Sequence, residues 1–272
     1  MNENIENPEE VHALLQTAID AAVRAAAIIL KYRLAGVTTT LKSDHSPVTE
    51  ADEAANRIIC DALQATGIPI LSEEGAEIPF ANRQSWNQLW IVDPLDGTKA
   101  FVRGKDDFAI NIALIEDGLP VLGIVAMPVR NAVLFGGPLL GGSFRLDNSS
   151  ADSNIARATP LPRKRDGAYT VLVSSSNTNE DTAAFVQRLR DFHPDLRVWP
   201  VGSAVKFCLL AEGMADAYVR FSPCMEWDTA AGHALVKGVG FDLTDQETGE
   251  EMRYNRKRLL NNSFIVQRPP AR

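Results

Sequence analysis

The sequence predicts a layered α/β fold with segregated α+β character, and three observations carry that prediction. The chain has 272 residues, 45% of them hydrophobic, which suits one large domain or two closely packed lobes. Its first half holds apolar, β-rich runs parted by turn residues, the signature of an antiparallel meander. Its second half alternates strand and helix patterns. A meander followed by alternation belongs to stacked sheets and helices, not to a TIM barrel.

The elements follow in order. Val11 to Lys31 places apolar residues at helical spacing, and Glu50 to Ala65 does the same. Ile68 to Ser72 reads as a strand ending at Glu73-Glu74, and Leu89 to Val92 as a buried strand stopped by Pro94. Phe108 to Ile115, Val121 to Met127 and Ala132 to Gly136 form the meander, with Glu116-Asp117-Gly118 as its first turn. Gly136 to Arg165 is rich in Gly, Ser, Asn and Pro and predicts a loop or lobe boundary. An N-terminal lobe of about residues 1–145 and a C-terminal lobe of about 166–272 would then form one unit. Strands at Tyr169 to Ser174, Arg197 to Pro200, Ala215 to Phe221 and Ser263 to Val266 alternate with helices at Asp181 to Phe192, Ser203 to Glu212 and Thr229 to Gly238.

Composition narrows the function. A net charge of −8 argues against a nucleic-acid polymer or an anionic membrane as partner. It leaves room for an anionic small molecule, because bound cations invert the local field. The polar opening Met1-Asn2-Glu3-Asn4 predicts no signal peptide. The most apolar helical run, Ala21 to Leu30, is broken by Arg24 and is too short to predict a transmembrane span. Cys60, Cys208 and Cys224 lack metal-type spacing and fit a reduced, cytoplasmic protein. Peripheral association at the inner face of the membrane is left open, and a monomer is the favoured state.

Acidic residues recur where a strand or loop meets a helix. Asp52 lies in Ser46-Pro47-Val48-Thr49-Glu50-Ala51-Asp52, Glu73 in Leu71-Ser72-Glu73-Glu74, and Asp228 in Trp227-Asp228-Thr229-Ala230-Ala231-Gly232. Asp93 and Asp96 lie in Trp90-Ile91-Val92-Asp93-Pro94-Leu95-Asp96-Gly97-Thr98-Lys99. Each alone has an ordinary reading. Thr49 with Asp52 is a helix-capping pair, Asp228 a helix-start acid, Asp93-Pro94 a turn. Together, flanked by Trp90 and Trp227, they are too many acids to bury without cations. Hard divalent ions want oxygen ligands, and a helix opened by Gly97-Thr98 offers N–H groups to a phosphate.

These four segments, in this order and spacing, resemble the inositol monophosphatase superfamily across nearly the whole chain. The resemblance implies an αβαβα sandwich and a Mg²⁺-dependent phosphatase. Glu73, Asp93 and the carbonyl of Leu95 would hold one Mg²⁺, and Asp93, Asp96 and Asp228 a second. A third ion, held largely through water, is left open. Thr98 and Asp52, with Glu73 beside them, would orient the attacking water, and Gly97 and Thr98 would grip the phosphate. Inhibition by Li⁺ is implied as well.

Within the superfamily, Trp199-Pro200-Val201-Gly202-Ser203-Ala204-Val205-Lys206 resembles the bisphosphate nucleotidase branch. That implies hydrolysis of the 3'-phosphate of adenosine 3',5'-bisphosphate to AMP, with 3'-phosphoadenylyl sulfate as a further substrate, in sulfur assimilation and nucleotide recycling. Ser203 and Lys206 would meet the second phosphate, although a lone lysine is ordinarily solvated. Arg220-Phe221-Ser222-Pro223 stands where inositol monophosphatases place an acid for a sugar hydroxyl, with Glu226 nearby as a substitute. Ser174-Ser175-Ser176-Asn177 departs from the Ser-Arg-Ser-His common in the branch and bears on substrate ranking. His233 reads as packed or hydrogen-bonded, not catalytic. A broad-specificity inositol-1-monophosphatase is the enzymatic alternative, and a silent metal or nucleotide binder the non-enzymatic one.

Overall fold

The computed structural model describes residues 7–36, 39–41, 47–148, 150, 152–162, 167–175 and 179–269. Ser176 and Asn177 of the departing motif, and Ser46, lie outside the described residues.

Helix α1 (Pro8–Ala35) begins where the side chain of Asn7 accepts the Glu9 N–H at 3.0 Å, with Pro8 in the first turn. It runs longer than the sequence predicts. Among the described residues it is the one helix long and apolar enough to cross a membrane, which the run Ala21 to Leu30 did not reveal. Leu15, Ala18, Ile19, Ala22 and Ile29 nevertheless bury one face against α2 and the first sheet.

A short hairpin, β1 (Thr39–Leu41) and β2 (Pro47–Thr49), leads into α2 (Glu50–Gln64). Then come β3 (Ile70–Ser72), α3 (Phe80–Arg83), β4 (Gln88–Asp96), α4 (Thr98–Val102), β5 (Ala109–Glu116), β6 (Leu119–Met127), β7 (Ala132–Gly137), β8 (Gly142–Asp147) and β9 (Thr159–Pro160). Strands β3 to β9 form a seven-stranded sheet in chain order, antiparallel except for the β3–β4 pair. Its residues alternate with period two. Trp90, Val92, Ile110, Ile112 and Ile124 face α1 and α2, whereas Leu89, Ile91, Ala113, Val125 and Leu134 face the opposite layer. Both faces are covered, so the strands read as continuous apolar runs.

The loop expected over Gly136 to Arg165 is corrected in part. Strands β8 and β9 lie inside it and extend the first sheet past the expected lobe edge near 145. Their Gly, Ser and Pro content masks a strand whose Ser143 and Leu146 are buried.

The second sheet holds β10 (Thr170–Ser174), β11 (Arg197–Val201), β12 (Ala217–Arg220), β14 (Asp242–Asp245) and β16 (Phe264–Gln267), in the order β11-β10-β12-β16-β14. Its helices are α5 (Glu180–Phe192), α6 (Val205–Ala211) and α7 (Ala230–Gly238); β13 (Cys224–Met225) pairs separately with β15 (Leu260–Asn261). Helices α6 and α7 fill the layer between the sheets, and α5 covers the outer face of the second. The layers thus run α1/α2, sheet, α6/α7, sheet, α5: the αβαβα sandwich. Helices α6 and α7 touch closely at Gly232, where a Cβ would lie 2.2 Å from the Phe207 ring. All three cysteines are free, as expected.

Candidate active site

The site begins with an irregularity in β4. The strand does not stop at Pro94. It continues to Asp96, with the register against β5 shifting between Asp93 and Asp96. A proline has no ladder N–H to give, so a bulge is where a strand tolerates it. The bulge turns the Leu95 N–H onto Asp93 Oδ1 at 3.0 Å. It ends at Gly97, whose φ of 95° suits glycine and where a Cβ would meet the Asp107 carbonyl at 2.8 Å. Thr98 then opens α4.

Asp52 is both a capping residue and a neighbour of Thr98. It closes a capping box on α2, its Oδ2 accepting from the Thr49 N–H at 2.8 Å and the Thr49 hydroxyl at 2.5 Å. Its Oδ1 faces the Thr98 hydroxyl at 3.0 Å, and that hydroxyl also lies 3.1 Å from the Leu95 carbonyl. Asp52 is 1% exposed. Burial raises its carboxyl pKa, against hydrogen bonds from Thr49 and Thr98 that lower it.

Glu73 arrives on the neighbouring parallel strand. Its N–H donates to the Val92 carbonyl at 3.0 Å, which sets it beside Asp93. Asp228 arrives from the 3₁₀ turn Glu226–Asp228, where its Oδ2 accepts the Met225 N–H at 2.9 Å. Oxygens of Asp93, Asp96 and Asp228 lie within 4.8 Å of one another.

The electrostatics are those of a site short of positive charge. Burial pushes the Asp93 carboxyl well above its usual range, and Glu73, Asp96 and Asp228 push it further. Burial and then Asp96 push Asp228 up to about 7. Burial also raises Asp96, opposed first by Lys206 and by the Ala204 N–H that it accepts. The donor set is all oxygen, and its charge surplus is what a divalent cation neutralises, so these residues fit a hard divalent cation.

Lys206 is 2% exposed, so the solvated reading of it is corrected. Its ammonium donates to the Ser203 carbonyl at 2.6 Å and the Val201 carbonyl at 3.3 Å, and sits 5.1 Å from the centre of the Tyr218 ring. Ser203 holds a φ of 48° at this turn, and its Oγ accepts from Val205 at 3.4 Å. Burial pulls the Lys206 pKa down to about 8, against the pull of Asp96. Glu226 cannot serve a sugar hydroxyl. It is fully buried and accepts from Asn255 N–H, Arg256 N–H and Arg256 Nε at 2.7, 3.1 and 3.0 Å.

Trp90 is core, not a wall of the site. Its indole N–H donates to Thr66, beyond the end of α2 opposite Asp52. His233 is buried, with Nδ1 3.1 Å from the Tyr254 hydroxyl, in keeping with a packed role. Sequence reasoning missed Asn111, which faces Asp93 across the β4–β5 ladder. Its amide reaches the Trp227 carbonyl at 3.4 Å and helps to hold down the Asp96 pKa. The available signal was one amide in an otherwise apolar run.

Comparisons with known proteins place the chain in a family. The inositol monophosphatase family pattern matches residues 10–270. The chain is 38% identical to the 3'(2'),5'-bisphosphate nucleotidase CysQ of Shigella flexneri, over 83% of this chain and 87% of that protein. Its identity to CysQ of Escherichia coli K12 is also 38%, with the same coverage. Among solved structures, CysQ from Bacteroides thetaiotaomicron superposes with a TM-score of 0.84 at 35% identity, covering 93% of this chain and 96% of that one. The inositol monophosphatase of Thermotoga maritima shares the fold, with a TM-score of 0.71 at 24% identity, covering 93% of this chain and 91% of that one. Pattern, sequence and structure agree along almost the whole length: the chain belongs to the inositol monophosphatase family.

Proposed function

We propose that the chain is a Mg²⁺-dependent 3'(2'),5'-bisphosphate nucleotidase that converts adenosine 3',5'-bisphosphate and water to AMP and phosphate. The observation that carries this reading is the Thr98–Asp52 pair set beside the cluster of buried Asp93 with half-buried Asp96 and Asp228. The likeness to CysQ supplies the substrate class. Glu73, Asp93 and the Leu95 carbonyl would hold one cation, and Asp93, Asp96 and Asp228 another; a third is left open. Bound cations supply Lewis acidity, polarising the phosphoryl group and acidifying the attacking water.

The protein's own groups supply orientation and proton transfer. The Thr98 hydroxyl donates to Asp52 Oδ1 or the Leu95 carbonyl, which leaves its lone pairs to accept a hydrogen bond from water. Asp52, its pKa raised by burial, is suited to take the proton that the water loses. The bond between phosphorus and the 3' oxygen breaks, and the leaving alkoxide takes a proton from solvent. The N–H groups at Gly97 and Thr98 would bind the departing phosphate. Lys206 uses two of its three N–H donors on backbone carbonyls, so one remains, with Ser203, for a second phosphate. We place the enzyme in the cytoplasm as one catalytic unit and a monomer, with α1 a core helix.

A phosphate-release assay tests the reading on adenosine 3',5'-bisphosphate, inositol 1-phosphate and fructose 1,6-bisphosphate at one Mg²⁺ concentration. The nucleotide should give the highest kcat/KM, with inhibition by millimolar Li⁺ but not Na⁺. Preference for inositol 1-phosphate overturns the substrate assignment. Nucleotide binding without phosphate release from any substrate would make the chain a silent binder.

A further inference from the structure

Helix α2 reaches the site twice. Its first turn presents Asp52 to Thr98. One turn later on the same face, Asn56 reaches the segment that carries Glu73. Asn56 Oδ1 accepts from the Ser72 hydroxyl at 2.7 Å, and Asn56 Nδ2 donates to the Glu74 carbonyl at 3.3 Å. The thiol of Cys60, one further turn along, donates to the same Oδ1 at 3.2 Å. Two donors on the oxygen and one acceptor on the nitrogen fix the amide in a single orientation.

Glu73 sits between the two residues that Asn56 grips, and its own N–H is bound to Val92, the residue before Asp93. β3 is only three residues long, and the chain turns immediately after it, the Gly75 N–H closing on the Ser72 carbonyl at 3.1 Å. A strand end this short has little ladder to hold it. The Asn56 amide adds a constraint from α2, through Ser72 before Glu73 and Glu74 after it. We infer that Asn56 is a positioning residue for Glu73: it sets where that carboxylate stands relative to Asp93, and so sets the affinity of the cation the two would share. The inference rests on the proposed role of Glu73 as a ligand.

The test is calorimetric titration of Mn²⁺ into substrate-free protein, alongside the Mg²⁺ dependence of activity and the Tm. Partners that orient a ligand are typically worth about 10- to 100-fold in metal affinity. Asn56→Leu removes all three amide contacts at similar volume. It should weaken Mn²⁺ binding by about tenfold or more and raise half-saturating Mg²⁺ in step, while kcat at saturating Mg²⁺ stays within about threefold. In a Glu73→Gln background the same change should have no further effect on metal affinity. A lower Tm with a metal constant unchanged within twofold would overturn the inference, because that is what a purely structural contact does. If Asn56→Leu does not fold, Ser72→Ala removes one of the bonds and carries the test. It should weaken Mn²⁺ binding by about threefold or more, and an unchanged constant overturns the inference. Glu73→Gln separates the two claims. Unchanged metal binding there refutes the ligand reading itself, whereas loss there with none at Asn56 refutes only the positioning role.

Discussion

Glu226 and Asp228 stand two residues apart on one 3₁₀ turn, and the protein treats them in opposite ways. Glu226 is met by two backbone N–H groups and the Arg256 guanidinium, which itself is anchored to Asn261 at 2.7 Å. Asp228 is met by the Met225 N–H and by the repulsion of Asp96 and Glu73, with Arg220 as an opposing charge. Burying an unpaired ion costs several kcal/mol, so a carboxylate persists inside only with donors, a proton or a cation. The Glu226 neighbourhood is complete within the chain. The Asp228 neighbourhood is complete only with something added. That difference separates a structural acid from a binding acid more sharply than burial does.

The largest effect should come from breaking the incomplete neighbourhood at its centre. Asp93→Asn keeps an acceptor for the Leu95 N–H but removes a charge that two cations would share. Turnover at ordinary Mg²⁺ should fall by about 10⁴-fold, roughly 5 kcal/mol of barrier, and near wild-type turnover would refute the two-metal assignment. Breaking the complete neighbourhood should act on stability. Glu226→Gln removes the buried charge that the Asn255 and Arg256 donors meet, while the partly exposed Arg256 keeps its bonds to Leu260 and Asn261. It should cost about 1–3 kcal/mol in denaturant unfolding, with kcat of the folded enzyme little changed. A loss of turnover without loss of stability would move Glu226 into the reaction.

Thr98→Ala tests the orienting pair. A group that positions water or moves its proton contributes about 10²–10⁴ in rate, so kcat should fall at least a hundredfold with KM nearly constant. An effect confined to KM would reduce Thr98 to a helix-start residue.

The smallest expected effect is a proton linkage. Burial and then Asp96 push the Asp228 carboxyl up to about 7, above its ordinary value of 3.8. Its contribution to metal-free stability is therefore full below pH 3.8 and is lost as pH rises through about 7. A cation replaces that proton, so Mg²⁺ affinity should weaken by up to about tenfold per pH unit below 7. Isothermal titrations at pH 6, 7 and 8 check this, and a flat profile would remove Asp228 from the ligand set.

Much of this was legible in the sequence, and the failures have physical causes. Long periodic elements such as α1 and β5 declare themselves, because burial on a fixed face imposes spacing. Asp93, Asp96 and Thr98 were legible because their spacing reflects a bulge and a glycine-led helix start. The bulge itself was not, because Pro94 reads as a strand stop unless the ladder is seen to resume at Asp96. Strand β8 hid in a Gly- and Ser-rich stretch. The burial of Lys206 was illegible because the carbonyls that hold it belong to its own turn, which composition does not disclose. Asn56 and Asn111 were missed for a related reason: an amide's function depends on what it faces across the fold.

The central claim is that the Asp93 cluster is built for a cation. Thermal unfolding of the wild type and Asp93→Asn at pH 8, each with and without Mg²⁺, tests it most directly. Without divalent ions the variant should melt above the wild type, because burial and the neighbouring acids disfavour the charged form of Asp93 and Asn carries no charge. Saturating Mg²⁺ should raise the wild-type Tm and leave the variant nearly unmoved. A variant that melts lower without metal, and equal Mg²⁺ shifts in both proteins, would contradict the account.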